Sequence, residues 1–270
     1  MTTENTPIET SLREAFAVPD DSIDVEAVPR PVTFRSRDYD GPHIVAMHTH
    51  RRAQLLYASR GVMQVHTPRG IWVVPPQRAV WLPPATEHAV SSPGPLALRN
   101  LYFEPGCCAE LPAACCVVTV SPLLRELILY AVSLEPLYDE AGAAGRLMQV
   151  IVDQIKILPI APLHLPLPEE PRIRSITLAL QHDPADTKSL EEWGHRVGAS
   201  ARTLARLFQR ETGYTFGQWR QQVRLLAALE GLAQGQSVAA VAAGLGYEKQ
   251  SAFIAMFKKA LGKTPGRFFD

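Results

Sequence analysis

The segment SARTLARLFQRETGYT, residues 200–215, has a second copy, shifted by 49 residues, within EKQSAFIAMFKKALGKT, residues 248–264. The shift superposes apolar residues and turn glycines: Leu204 on Phe253, Phe208 on Phe257 and Gly213 on Gly262. Apolar residues at i and i+4 lie on one face of a helix, and glycine lets the backbone turn where the helix ends. Each copy therefore predicts the second helix of a helix-turn-helix unit.

The opposite face of each predicted helix is polar and basic. A helix that enters the major groove N-terminus first presents its early residues to base edges and its later ones to phosphates. We predict contacts to double-stranded DNA from nine residues: Ser200, Arg202, Arg206, Gln209, Arg210, Lys249, Gln250, Ser251 and Lys258. The alternative is a helical bundle with a solvated basic face.

Charge is divided unevenly along the chain, although the 270 residues carry a formal net charge of zero. Residues 172–270 hold 14 basic and 8 acidic residues, a net charge of +6, and residues 1–171 hold 13 and 19, a net charge of −6. This asymmetry indicates a cationic part that meets a polyanion and an acidic part with another task.

The last hundred residues resemble the DNA-binding domain of the AraC/XylS family of transcription regulators. Three segments carry the resemblance: AAGLGY at 242–247, SAFIAMFK at 251–258 and GKTPGRFF at 262–269. The resemblance implies that the helices at 201–211 and 249–261 are the two reading helices. Many members carry a polar residue where this chain has Ile254, Ala255 and Met256. Base discrimination is therefore expected mainly from the first unit, while the second contacts phosphates and thymine methyls.

Short apolar runs, broken by Gly and Pro, fill residues 31 to about 105 of the predicted barrel at 31–110. Such runs are typical of a small antiparallel sandwich or barrel. His48 and His50 occupy positions i and i+2 of a strand, so their side chains share a face, where Gln54 and His88 can join them. This pattern resembles the cupin motifs, but Gln54 replaces the usual Glu and Ala85 the usual Gly.

Within the cupin-like barrel we predict an effector pocket. Its eight candidate residues are polar or aromatic: His48, His50, Gln54, Tyr57, Trp72, Arg78, Trp81 and His88. For Tyr57, Trp72, Arg78 and Trp81 the sequence does not decide between pocket lining and packing. The three histidines also offer a site for Zn or Ni, although a neutral amide in place of the carboxylate makes the set a poorer one for Fe or Mn.

The four cysteines form a CC-x6-CC cluster at residues 107, 108, 115 and 116. The cluster lacks the CxxC spacing with which two thiolates grip one zinc ion from a tight turn. We interpret these residues as structural or incidental thiols, with metal or redox sensing as the alternative.

The predicted fold is α+β, a cupin-like β-barrel followed by an all-α domain with two helix-turn-helix motifs. Amphipathic helices are expected at 122–138 and 142–157. The chain is accordingly divided into successive segments: a tail at 1–30, the sensor barrel at 31–110, a helical dimerisation segment at 115–160, a proline-rich spacer at 161–171 and the DNA-binding domain at 172–270.

These patterns lead to the hypothesis of a homodimeric transcription regulator, controlled by a small-molecule effector and in contact with RNA polymerase. The acidic, polar N-terminus and the lack of an apolar run of ~20 residues predict a cytoplasmic protein without a membrane partner. We predict no enzymatic activity, because no base or nucleophile beyond the histidines is evident. Two alternatives remain open: a metal-sensing regulator that uses His48, His50 and His88, and a metal-dependent cupin enzyme.

Overall fold

The computed structural model describes residues 24–156, 160–161 and 163–268. The chain forms two compact units: the first comprises residues 1–67 and 74–161, and the second comprises residues 68–73 and 162–270. Of the predicted tail at 1–30, residues 1–23 lie outside the described residues.

Most strands lie in the first unit. The described residues contain eleven strands, numbered in chain order: β1 (Val32–Tyr39), β2 (His43–His48), β3 (Ala53–Arg60), β4 (Met63–Thr67), β5 (Gly70–Val74), β6 (Arg78–Leu82), β7 (His88–Ser92), β8 (Leu96–Phe103), β9 (Cys116–Thr119), β10 (Ile160–Ala161) and β11 (His164–Pro166). One antiparallel sheet has the order β1-β8-β3-β6-β9-β10. A second group has β7 between β2 and β4.

The two faces of the first sheet differ in what they contact. On β3, Gln54 and Leu56 point towards a cavity, whereas Leu55 and Tyr57 point into the core that the helices cover. This alternation follows from the two-residue period of a strand. Register therefore decides which side chains can meet a ligand.

Two helices, α1 (Pro122–Ala131) and α2 (Ala143–Lys156), pack on each other in the first unit. The Ser121 Oγ accepts a hydrogen bond from the backbone N–H of Leu124 at 3.1 Å, and Pro122 is the first helical residue, as the sequence predicts. Helix α1 ends seven residues before the predicted end at 138. Pro136 disfavours helical backbone at the residue before it and cannot donate to the preceding turn, which explains why the helix does not continue to 138.

The second unit is mainly helical. Its helices are α3 (Pro171–His182), α4 (Leu190–Val197), α5 (Ala201–Thr212), α6 (Phe216–Ala233), α7 (Val238–Gly244) and α8 (Gln250–Leu261). Helices α4, α5 and α8 end at Gly198, Gly213 and Gly262, whose φ angles of 67°, 74° and 80° are left-handed. The α+β class is thus confirmed.

Part of the predicted spacer at 161–171 forms a strand, and its last residue, Pro171, already begins α3. Strand β11 is antiparallel to β5, with His164 opposite Trp72. The Trp219 indole N–H of α6 donates to the Pro166 carbonyl at 3.1 Å. Proline prevents a helix here but allows an edge strand, so this segment anchors the helices of its own unit. In the described part of the chain, no helix combines the length and apolar character that crossing a bilayer requires.

Candidate ligand cavity and nucleic-acid interface

A cavity of about 250 Å³ lies inside the first unit. Strands β1, β3 and β8 form one wall, and β2 and β7 form the other. The lining residues combine cations, imidazoles, polar groups and aliphatic side chains: Arg35, Arg37, Tyr39, His43, Ile44, Val45, Ala46, His48, Gln54, Leu56, His88, Val90, Leu98, Asn100 and Tyr102. A small volume with a few polar groups among apolar ones is typical of a ligand site.

Three histidines meet at one end of this cavity. The ring centroids of His48 and His88 are 4.3 Å apart, and one ring nitrogen of each of His48, His50 and His88 lies within 4.8 Å of the others. Each Nδ1–H donates to a backbone carbonyl, of Ala46 at 2.8 Å, Arg52 at 2.6 Å and Thr86 at 2.9 Å, respectively. A carbonyl oxygen can only accept, so the Nε2 atoms of His48 and His88 keep their lone pairs for another group, whereas His50 Nε2 lies 2.9 Å from the Gln54 Oε1.

The protonation of the cluster is set by its surroundings. Desolvation by burial lowers the pKa of His88 to about 4, so its ring is neutral near pH 7. Desolvation also lowers the pKa of His48, and the charge of Arg35 contributes in the same direction. Among the described residues the buried His88 Nε2 has no hydrogen-bond partner, and it is therefore open to a ligand.

Gln54 connects the histidine cluster to the first sheet. Its Oε1 lies 2.9 Å from His50 Nε2, and its Nε2 donates to the Tyr102 hydroxyl at 3.3 Å. Of the eight predicted effector residues, the structure brings together His48, His50, Gln54 and His88, and all but His50 line the cavity.

The other four predicted effector residues lie elsewhere. Tyr57 and Trp81 belong to the core on the opposite face of the first sheet, where the Trp81 indole donates to Pro112 O at 2.8 Å. Trp72 belongs to the second unit and stacks on His164 with ring centroids 4.4 Å apart. Arg78 donates to the Gln77 carbonyl at 3.0 Å and is not a lining residue.

Sequence reasoning missed the contribution of β1 to the cavity. Arg35, Arg37 and Tyr39 recur with the two-residue period and all line it, opposite Asn100, Leu98 and Leu96 of β8. The alternation RSRDY at residues 35–39 is the signal that could have placed them on one face.

The four cysteines carry free thiols. Burial raises the pKa of Cys108 and of Cys116 to about 11 and also raises the pKa of Cys107. A thiol that stays protonated is a poor nucleophile and a poor metal ligand, which is consistent with the structural interpretation.

Helix α5 separates a buried face from an exposed one. Leu204, Leu207 and Phe208 are buried, and the exposed side carries all four predicted contact residues of this helix: Arg202, Arg206, Gln209 and Arg210. The Arg210 guanidinium donates to Glu211 at 2.8 Å, and the Gln209 amide to Gly213 O at 3.0 Å. Arg202 and Arg206 take part in neither of these hydrogen bonds. They are therefore the candidates on α5 for contacts to base edges.

Ser200 has a structural role at the start of α5. Its Oγ accepts the backbone N–H of Thr203 at 3.2 Å, which caps the helix. The positive end of the helix dipole and the exposed position of Ser200 both suit a nearby phosphate.

Helix α8 repeats this arrangement with fewer charges. Phe253, Phe257 and Leu261 are buried, whereas the predicted contact residues Lys249, Gln250, Ser251 and Lys258 are exposed. Ala255, which the repeat aligns with Arg206, is exposed too. A methyl group at that position can contact a thymine methyl but cannot donate a hydrogen bond.

Comparisons with known proteins find matches for two parts of the chain. Residues 31–151 match the sequence model of an AraC-like ligand binding domain, and residues 193–270 match that of a helix-turn-helix domain. The chain is 40% identical over 222 residues to the HTH-type transcriptional regulator NimR of Escherichia coli strain K12, which covers 82% of this chain and 81% of that protein.

Two further proteins show partial similarity. The HTH-type transcriptional regulator RipA of Corynebacterium glutamicum is 39% identical over 103 residues, 38% of this chain and 31% of that protein. The structure of ToxT from Vibrio cholerae strain SCE256 bound to an unsaturated fatty acid has 10% identity and a TM-score of 0.37, covering 88% of this chain and 94% of that one.

Proposed function

The chain belongs to the AraC family of HTH-type transcription regulators, and from this premise we propose which of its residues read DNA and which receive the effector. It is a DNA-binding regulator with an N-terminal ligand-binding domain. The proposed DNA contacts are nine exposed polar or basic residues of α5 and α8 with their N-terminal flanks: Ser200, Arg202, Arg206, Gln209, Arg210, Lys249, Gln250, Ser251 and Lys258.

The observation that carries this proposal is the exposed polar face of α5, which is held by a buried apolar face. A reading helix must keep base-contacting side chains free while its opposite side is fixed to a core. Leu204 and Phe208 provide that fixation, and Arg206 lies on the free side.

Genome-wide mapping of bound sites tests the regulator assignment and also gives the operator. We expect discrete sites that share a motif, and a gel shift in which an oligonucleotide with that motif is bound at least about a thousandfold more tightly than random sequence. Uniform, motif-free binding would contradict the proposed reading role.

The cavity of the first unit is the proposed effector site, with His48, His50, Gln54 and His88 at its polar end. These residues combine a buried acceptor at His88 Nε2 with a fixed amide at Gln54. An effector alters DNA affinity only if it binds one arrangement of the protein better than another. The effector is titrated by calorimetry into wild type and into His88→Gln, each with and without operator DNA. The difference in effector affinity between the DNA-bound and the free protein measures that coupling.

We propose that the protein acts as a homodimer through the outer face of α1 and α2. Leu123 and Tyr130 on α1 and Val150 on α2 are large apolar side chains that remain exposed. Exposed apolar patches of this kind mark association surfaces. Contact with RNA polymerase is the remaining partner proposal, and a reconstituted transcription assay tests it.

Metal sensing is a second candidate function, favoured by one observation. The Nδ1–H groups of His48 and His88 donate to backbone carbonyls, which is the outer-shell arrangement that aims their Nε2 atoms at a metal, and His50 Nε2 would exchange its contact with Gln54 for the ion. His48, His50 and His88 would hold Zn or Ni, and such an ion would supply a positive charge that orients a ligand. Elemental analysis, followed by DNA titration with and without a chelator, tests this candidate: stoichiometric metal that changes DNA affinity supports it.

The relatives are transcription regulators, and we propose that this chain has no enzymatic activity of its own. A DNA partner also requires access to the chromosome, which supports the proposed cytoplasmic location.

A further inference from the structure

Arg224 of α6 donates to successive backbone carbonyls of the α3–α4 connection, residues 183–189. Its Nε–H donates to the Pro184 carbonyl at 2.8 Å, and its Nη2 donates to the carbonyls of Ala185 and Asp186, each at 3.3 Å. A guanidinium carries five N–H donors in a fixed planar fork, so one side chain can satisfy several carbonyls at once. Arg224 therefore ties this connection, which leads into the first helix-turn-helix motif of α4 and α5, to the long helix α6.

The same guanidinium also contacts the second helix-turn-helix motif, which consists of α7 and α8. Its Cζ lies 5.5 Å from the centroid of the Tyr247 ring, in the turn between α7 and α8. The Tyr247 ring in turn packs against Phe253 of α8, with centroids 5.6 Å apart. Arg224 and Tyr247 are both half-buried, and a cation over an aromatic face is attracted more strongly where water is partly excluded. One side chain therefore links the two motifs.

The backbone of the second motif's turn lies against the same connection. Gly246 has a φ angle of 75°, and a Cβ added to it would lie 2.9 Å from the Ala185 carbonyl oxygen. Glycine is therefore required at this position by both the left-handed backbone and the close approach. Arg224 thus lies where α6, the α3–α4 connection and the turn of the second motif meet.

Arg220, one helical turn earlier on α6, is an internal comparison. It is also half-buried, and its Nη1 donates to the Lys188 carbonyl of the same connection at 3.1 Å. Its Cζ lies 5.0 Å from the ring centroid of Phe216. Arg220 therefore resembles Arg224 in its contact with the connection, but its aromatic partner belongs to α6 and not to the turn of the second motif.

Reading two segments on one side of a duplex requires that the two reading helices be held at a fixed spacing, of about 34 Å for successive major-groove segments. Freedom between the motifs has to be lost on binding and so weakens it. We infer that Arg224 is a positioning residue that fixes α8 relative to α5, so that both helices approach one DNA site as a single pre-arranged surface. This inference rests on the proposed DNA-reading role of α5 and α8 and adds what determines the spacing of the site.

A change in site spacing tests the inference in the full-length protein. The probes are the operator duplex obtained by genome-wide mapping and the same duplex with one base pair inserted between its two protected segments, a shift of about 3.4 Å. We expect wild type to bind the lengthened duplex about tenfold more weakly, because one motif loses its register. Arg224→Gln should bind the original operator more weakly than wild type but lose less than about threefold on lengthening, because its motifs can adjust.

The ratio of the two affinities is measured on one sample, so an unfolded fraction does not change it. Arg220→Gln is the matched control and should keep the tenfold ratio of wild type, because the contact with Tyr247 remains. Arg224→Lys retains the charge without the planar fork and should give an intermediate ratio. Tyr247→Leu removes the aromatic face but not the hydrogen bonds of Arg224 to the connection. It should also lower the ratio, and it tests the inference if Arg224→Gln does not fold.

A distance measurement without DNA separates this inference from the reading role. Nitroxide labels on ketone-bearing side chains replace Ala205 of α5 and Lys259 of α8, both exposed, and double electron–electron resonance measures the distance between them. We expect one narrow distribution in wild type and Arg220→Gln, and a broader one in Arg224→Gln. Equal distributions in all three proteins, or an unchanged affinity ratio in both Arg224→Gln and Tyr247→Leu, would overturn the inference. Broadening confined to Arg224→Gln, in a protein that binds all sequences alike, would support the positioning role and contradict the proposed reading role.

Discussion

Arg206 lies in the middle of the exposed face of α5, and its counterpart in the second copy is Ala255. A guanidinium can donate two hydrogen bonds to one guanine, whereas a methyl group cannot. We therefore expect Arg206→Ala to lose about 1 to 3 kcal/mol of discrimination at one base position. Gel shifts against operators with each base changed in turn measure this loss.

Lys258 is near the C-terminal end of α8, where a reading helix approaches phosphates. Lys258→Ala should weaken binding to all sequences alike and reduce the salt slope of binding by about one. Arg146→Ala, which removes an exposed cation from α2, is the control and should change neither property. Identical behaviour of the Arg206 and Lys258 variants would remove this assignment of roles.

His164 makes the second unit sensitive to acid. It stacks on Trp72, and desolvation lowers its pKa below the ordinary value in the folded state. A lowered histidine pKa means that the unfolded chain binds the proton first, so stability is lost as pH falls through about 6.5. We expect the thermal midpoint of wild type to fall more between pH 7 and pH 5 than that of His164→Gln. Equal decreases would contradict this role.

Two glycines, one that ends α5 and one in the first turn of α6, form a matched pair on either side of one turn. Gly213 ends α5 with φ 74°, while Gly217 lies in the first turn of α6, and an added Cβ meets no atom within 4 Å at either position. Gly213→Ala should destabilise by about 1 to 2 kcal/mol, because only the left-handed backbone is strained. Gly217→Ala should be neutral or stabilising by up to about 1 kcal/mol. Thermal unfolding of both variants measures these changes in stability. Equal shifts of the unfolding midpoint would show that the left-handed backbone at Gly213 is not the cause of the destabilisation.

Local sequence patterns predicted the helices well. Which face of a strand meets the cavity depends on strands that are distant in sequence, so local patterns did not predict it. The repeat around Leu204 and Phe253 predicted α5 and α8 within one residue at each end, because capping and helical period are local. Strand β3 carries Gln54 and Tyr57 on opposite faces. Only its pairing with β6 and β8 shows which of these faces lines the cavity and which packs against the helices. The cavity role of Arg35 was missed for the same reason.

At the scale of the whole molecule, charge and apolar surface are divided between different parts of the chain. Residues 172–270 carry a net charge of +6 and residues 1–171 a net charge of −6, so the attraction to DNA is confined to the part that reads it. The first unit instead offers a cavity and an exposed apolar helical face. The proposed sensing and association surfaces thus share no residue with the proposed DNA contacts.

In the proposed homodimer, the exposed apolar face of α1 is expected to determine whether two chains associate. Leu124, Ile128 and Ala131 are buried, while Leu123 and Tyr130 on the other side of the helix are 55% and 58% exposed. A two-fold interface contains each residue twice, so a substitution removes two contacts of roughly 1.5 to 3 kcal/mol each when fully buried. The double variant Leu123→Ser, Tyr130→Ser should therefore sediment as a monomer at concentrations where wild type is a dimer.

The control for this variant is Leu178→Ser, which removes a side chain that is 45% exposed on α3 in the second unit. It should remain dimeric, because exposure alone does not create an interface. The monomeric variant should keep its affinity for one half-site and lose affinity for operators with two, since linked binding raises the effective concentration of the second domain. A double variant that still sediments as a dimer would exclude this face of α1 as the association surface.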